Sequence, residues 1–161
     1  MAKVQIKAGD EFSLRLSRLA DGMDEIAEKA LYAGASVAAD ALRAEIEALP
    51  TEDERSTTRR GVSKAERQDL LDGMGVSKMQ KSGNVLHIKT GFDGFGTNTK
   101  SDKTKYPKGL PIATLARAIQ SGTSFRLANR FSTRATNKAK TKAQEAMGKV
   151  VKEEIDKKTK G

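Results

Sequence analysis

Cysteine and tryptophan are absent from this 161-residue chain, histidine occurs once and proline three times. Without cysteine there are no disulfides, no thiolate nucleophile and no cysteine-bound zinc, a composition that fits a reducing compartment. The lone His87 stands out of phase with Leu86 and Ile88 and has no second ligand nearby. It reads as a solvent-facing residue, not a metal ligand or a catalytic base. Aromatic residues make up 4% of the chain. The core therefore rests on Leu, Ile, Val, Met and Ala, which suits closely packed helices better than a large sandwich. No run of about 18 apolar residues occurs, and MAKVQIKAGDEF has no long apolar stretch behind its first lysine, so neither a membrane span nor a secretory leader is expected. The expectation is a soluble chain with no membrane partner.

What the sequence does have is charge, unevenly placed. The net charge is +9. Residues 1–54 nevertheless hold 12 acidic and 6 basic residues, whereas residues 55–161 hold 9 acidic and 24 basic. A free DNA-binding domain has no need of an acidic region, while subunits repeating around a ring can set one face against the other. The plainer reading of the same charge is a solvated, solubilising surface.

Hydrophobic periodicity outlines the elements. Val4, Ile6 and Ala8 alternate with Lys3, Gln5 and Lys7 as in a half-buried strand, and Asp10 is placed to cap a helix carrying Phe12, Leu16 and Leu19. From Met23 onward, Ile26, Ala30, Gly34, Val37, Ala41 and Ala44 recur at three- and four-residue steps. This predicts a helix over about 23–49, roughly 40 Å long, stopped by Pro50. Its many small residues would let another element approach closely. Residues 51–69 are rich in charge, Ser and Thr and read as an exposed flap. Gly83-Asn84, followed by Val85 to Ile88, predicts a β-hairpin. Gly91, Gly94 and Gly96 bracket Phe92 and Phe95 and lead into a basic loop at 97–109. Pro111 opens a short helix with Ile112, Leu115, Ala116 and Ile119 on one face, ended near Gly122. A last helix runs from about Ser132 to Lys158, with Ala135, Ala139, Ala143, Met147, Val150 and Ile155 facing inward. The fold class expected is α+β: a small antiparallel β-sheet packed against a long N-terminal helix and a long C-terminal helix, in one domain over residues 1–161.

No pattern in the chain supports catalysis or a cofactor. The acids lie along solvated helix faces and in the flap, the glycines lack both the dinucleotide spacing and the Lys-Ser/Thr of a phosphate loop, and Asp93 with Asp102 is too sparse for calcium. The expectation is a protein that is not an enzyme, with no catalytic, cofactor or metal site. One constellation does stand out. Arg126, Arg130, Arg134, Lys138 and Lys142 follow one another at four-residue intervals and would stack along a helix face, where like charges repel unless a counter-charge meets them. Nucleic-acid phosphates or the acidic half of a neighbouring copy, at Glu25, Glu28, Asp40, Glu45 or Glu47, would serve; a merely solvated face is the third reading. Stacking aromatics near the stripe are limited to Phe125 and Phe131, which argues against single-strand recognition.

Three stretches, LLDGMGVSKM (70–79), HIKTGFDGFG (87–96) and YPKGLPIATLARAIQSGTSFR (106–126), followed by the basic, Ala-rich TRATNKAKTKAQEAMGKVVKEEI (133–155), resemble the neck proteins of tailed phages, the head-tail joining, tail-completion or minor tail-component family. The likeness extends over most of the chain. One departure is Arg130, which stands where the family usually has proline before the aromatic Phe131; proline would have fixed that turn. The resemblance implies an α+β subunit without enzymatic activity, assembled in the host cytoplasm as a virion ring, typically a hexamer. That ring would lie between the capsid connector or head-completion proteins and the tail tube or tail terminator, around a channel for the genomic DNA. The expected partner-binding residues are Lys103, Lys105, Tyr106 and Lys108 in the basic loop, with Arg126, Arg130, Arg134, Lys138 and Lys142 in the stripe. A small basic DNA-binding protein is the alternative, though the chain has no recognisable reading motif.

Overall fold

The computed structural model describes residues 22–51, 61–83, 85–97 and 104–160. The strand expected over 3–8 and the helix expected from residue 11 lie outside these residues, as do Asn84 and the middle parts of the flap and of the basic loop. The described elements, in chain order, are α1 (Met23–Glu47), α2 (Lys64–Gly73), β1 (Met74–Val76), β2 (Gln80–Ser82), β3 (Val85–His87), β4 (Thr90–Phe92), α3 (Ile112–Ser121) and α4 (Phe131–Lys160). The architecture is α+β, as expected, with two two-stranded antiparallel ladders, β1–β4 and β2–β3.

α1 and α4 form the frame. Their lengths of 25 and 30 residues correspond to about 37 and 45 Å at the α-helical rise. They run antiparallel, with Glu45 beside Arg134 and Lys138 near one end, Gly34 against Met147 midway and Lys29 against Glu154 near the other end. The small residues in α1 have the use the sequence predicted: a Cβ built on Gly34 would lie 2.8 Å from Cγ of Met147.

The main core gathers at the end of this frame where α1 finishes. Leu42, Ile46 and Leu49 meet Val62, Leu70, Ile112, Leu115, Ala116, Ile119, Phe131 and Ala135, with Met74, Phe92 and Leu110 packed around them. All four residues of the apolar face predicted for α3 are buried. Phe131 is fully buried, its ring edge-on to Phe92 at 6.2 Å between centroids, so the aromatic anchor holds although Arg130 precedes it. Gly122, at φ +74°, ends α3; a side chain there would meet the backbone of Arg126 and Ala128.

The flap expected over 51–69 is shorter than the sequence suggested. Thr51 bridges Val62, Val62 is buried, and α2 begins at Lys64 with a capping box in which Ser63 accepts from the backbone of Glu66 and Glu66 accepts from that of Ser63. The signal was present as Ser63-Lys64-Ala65-Glu66, but the charged composition around it resembled a loop. Glu66 and Asp69, two acids of the expected solvated flap, are buried.

The β2–β3 hairpin forms where Gly83-Asn84 predicted it, Gly83 taking φ +59° at the turn. It leans on α1 through Lys81 to Asp24 (3.0 Å) and through the Met79 amide, which donates to the Tyr32 hydroxyl at 3.3 Å. His87 is half-buried, not fully on the solvent face, with its ring nitrogen 3.1 Å from Gln80 on the paired strand. β1 pairs with β4 in the register Met74↔Phe92, Gly75↔Gly91 and Val76↔Thr90.

Candidate partner-binding surfaces

The three sequence stretches at 70–79, 87–96 and 106–126 close on one another at one corner of the molecule. The Asp93 amide donates to the Gly73 carbonyl at 2.8 Å, extending the β1–β4 ladder. The Ile112 amide donates to the Gly94 carbonyl and the Gly96 amide to the Leu110 carbonyl, so the glycine turn is stitched to the entry of α3. Asp69 of α2 accepts from both the backbone amide and the hydroxyl of Thr97, at 3.0 and 2.8 Å, which fixes where the basic loop leaves the turn. Gly109, at φ +98°, fixes where it returns: a Cβ there would lie 2.6 Å from the Gly96 carbonyl.

Of the residues expected to bind partners in this loop, Lys103 lies outside the described residues. Lys105 and Lys108 are exposed on the turn at 104–108, and Tyr106 is half-buried with the Lys105 ammonium 5.5 Å from its ring centroid. The loop thus presents two cations and an aromatic from a base whose ends are both hydrogen-bonded.

The five-residue basic stripe does not exist as one surface. Helical spacing stacks side chains only inside a helix, and α4 begins at Phe131, after Arg126 and Arg130. Arg126 is 3% exposed. Its guanidinium forms a two-pronged pair with Glu66, at 2.6 and 3.2 Å, and also donates to the Gly61 carbonyl at 3.1 Å. It holds the molecule together and is not available to a partner. The same Glu66 carboxylate completes the cap of α2, so one buried group serves both the helix start and the loop before α4.

Arg134 and Lys138 do stack on α4, but they converge on Glu45 of the same chain. The hydrogen bond from Lys138, then that from Arg134, holds the Glu45 carboxyl below the usual carboxylate range. The counter-charge expected from a neighbouring copy is therefore supplied within one chain, as it also is for Glu25 by Lys29 and Lys158. Arg130 and Lys142 remain exposed. Lys142 shares a groove of about 420 Å³ with Asp40.

Several large apolar side chains are exposed: Val85 at 63%, Phe125 at 57%, Phe95 at 54% and Leu127 at 53%. Sequence reading missed these as surface features, since nothing in spacing separates an apolar loop residue that docks from one that packs. Among the described residues there is no cluster of His, Cys, Asp or Glu able to hold a metal ion, and no helix is long and apolar enough to cross a membrane. Comparison with family models, curated proteins and solved structures finds no match.

Proposed function

We propose that this chain is a structural virion subunit of a tailed-phage neck. In this reading it assembles as a ring, a hexamer being the expected state, joins the capsid connector to the tail tube and leaves a channel for the genome. The observation that carries the reading is that the three stretches resembling the neck family are hydrogen-bonded into one corner, with Lys105 and Lys108 of the basic loop exposed beside it. Such a corner gives a mechanical adaptor what it needs, a contact loop on a fixed base. The work is docking: one rim of the ring meets the connector, the other meets the tail, and Lys105, Tyr106 and Lys108 make contacts at a rim.

The pairing of Arg126 with Glu66, and of Arg134 and Lys138 with Glu45, weighs against the alternative of a small DNA-binding protein, because three of the five stripe cations already have carboxylate partners. The deciding experiment is imaging and native mass measurement of the protein mixed with connector and tail tube. A ring at the junction is the expected result. A protein that stays monomeric, is absent from the junction and binds duplex DNA with steep salt dependence would overturn the reading.

A further inference from the structure

The β1–β4 ladder has two unlike faces. Side chains alternate along a strand, so Met74 and Phe92 share one face and both pack against the core. The opposite face carries Gly75 and Gly91, directly across from one another. Among the described residues, a Cβ placed on either glycine would meet nothing within 4 Å, and neither has a positive φ that would require glycine. Glycine weakens a strand, and two in register weaken it twice, so a position that any β-former would suit better marks a place where something else comes close to the backbone. The space above them is a groove of about 450 Å³, with Asp72 and Asp93 at one end and Ser77 and Lys89 at the other.

The groove lies beside the start of α3, where Gly94 accepts from Ile112. Past the other end of that helix, about 15 Å away for ten residues, the loop leading to α4 exposes Phe125, Leu127 and Arg130. The chain thus carries an apolar knob with a cation at one end of α3 and a glycine-floored groove with two carboxylates at the other. A knob and a groove at different places on one chain produce a head-to-tail contact, which closes into a ring when the rotation per subunit divides the circle.

We infer that the glycine face of the β1–β4 ladder receives the 123–130 loop of a second copy of this chain. Phe125 and Leu127 lie on the floor made by Gly75 and Gly91, and Arg130 faces Asp72 and Asp93. The inference rests on the ring reading above and names the contact that builds the ring. Large flat side chains cover exposed peptide groups well, and the rim charges orient the loop as it enters.

The native chain has no cysteine, so an engineered pair reports without background. Protein carrying Gly75→Cys, mixed with protein carrying Leu127→Cys and assembled into rings, should form a disulfide-linked dimer under mild oxidation, and neither variant alone should. Gly91→Val, which has open space and a strand-favouring side chain, should leave circular dichroism and Tm unchanged while weakening ring formation at least tenfold. If that variant lowers Tm instead, the cysteine pair decides the matter. Rings that survive Gly91→Val and give no mixed disulfide overturn the docking inference and leave the ring reading standing. A wild-type chain that forms no ring, alone or at the junction, overturns both.

Discussion

The two ends of the α1–α4 pair are held in different ways. Where α1 finishes, Leu42, Ile46 and Leu49 are covered by α2, α3, the β1–β4 ladder and Phe131. Where α1 begins, Ile26 and Ala30 are buried outside that cluster, and the outer contacts are ion pairs: Lys29 to Glu25 and Glu154, both at 2.8 Å, and Lys157 to Glu154 at 2.6 Å. One end is a core with layers on several sides. Among the described residues, the other is a two-helix arm with the β2–β3 hairpin leaning on α1, its seam made of small residues edged by surface charge. Apolar burial stabilises in proportion to area, while exposed ion pairs add little and are screened by salt, so the arm should open well below the free energy needed to unfold the core.

The largest effects are expected at the core end. Replacing Arg126 with Ala leaves the Glu66 carboxylate buried without its counter-charge and should cost about 3–5 kcal/mol. Replacing both residues with Leu should cost far less than the single change, as read by urea denaturation of each variant. Phe131→Ala removes the aromatic anchor and should cost a similar 3–5 kcal/mol, approximately, in the same assay. Equal stability of Arg126→Ala and the wild type would mean that the pair is not closed in solution.

Next comes the seam. Gly34→Ala should lower stability by about 1–3 kcal/mol through overpacking against Met147, and Met147→Ala in the same chain should recover most of the loss. If the single variant proves more stable instead, the helix gain from alanine has outweighed the clash and the arm is more yielding than its spacing implies. Ser63→Ala, which removes the cap of α2, should cost about 1 kcal/mol.

The smallest effects belong to the arm's charges. Lys29→Ala should lower Tm slightly in low salt and not at all at high ionic strength, and hydrogen exchange should accelerate in 23–33 and 147–158 before it does in 42–49. Lys157 and then Lys29, each by a hydrogen bond, hold the Glu154 carboxyl down at about 2, from an ordinary 4.5. A carboxyl whose pKa is depressed on folding favours the folded state above its unfolded value. That contribution is complete above about pH 4.5 and declines as the pH falls toward 2; Glu45, also depressed, adds at the core end with the same sign. Thermal melts between pH 6 and 2 should therefore show a loss concentrated below pH 4.5, diminished in a Lys29→Ala variant.

Much of this frame was readable from residue order. Ile112, Leu115, Ala116 and Ile119 between Pro111 and Gly122 specify α3 by period and by punctuation, and the alanine run in α4 specifies its inward face. α2 was not readable in the same way. Its composition is that of a solvated loop, and the groups that let it bury two carboxylates come from far along the chain, Thr97 for Asp69 at a separation of 28 residues and Arg126 for Glu66 at 60. The basic stripe failed for a related reason. Spacing gave its residues one helical phase, but the helix began too late to include Arg126 and Arg130, and the acid expected on a neighbour was Glu45 of the same chain.

Residue order alone thus determined that α1, α3 and α4 are helical, which of their faces are apolar and where glycine ends α3, because those properties depend on neighbours three or four positions away. Which charges meet, which loop ends are tied and which strand face meets the core were decided by the tertiary structure, because each depends on what a distant segment brings to the same few cubic ångströms.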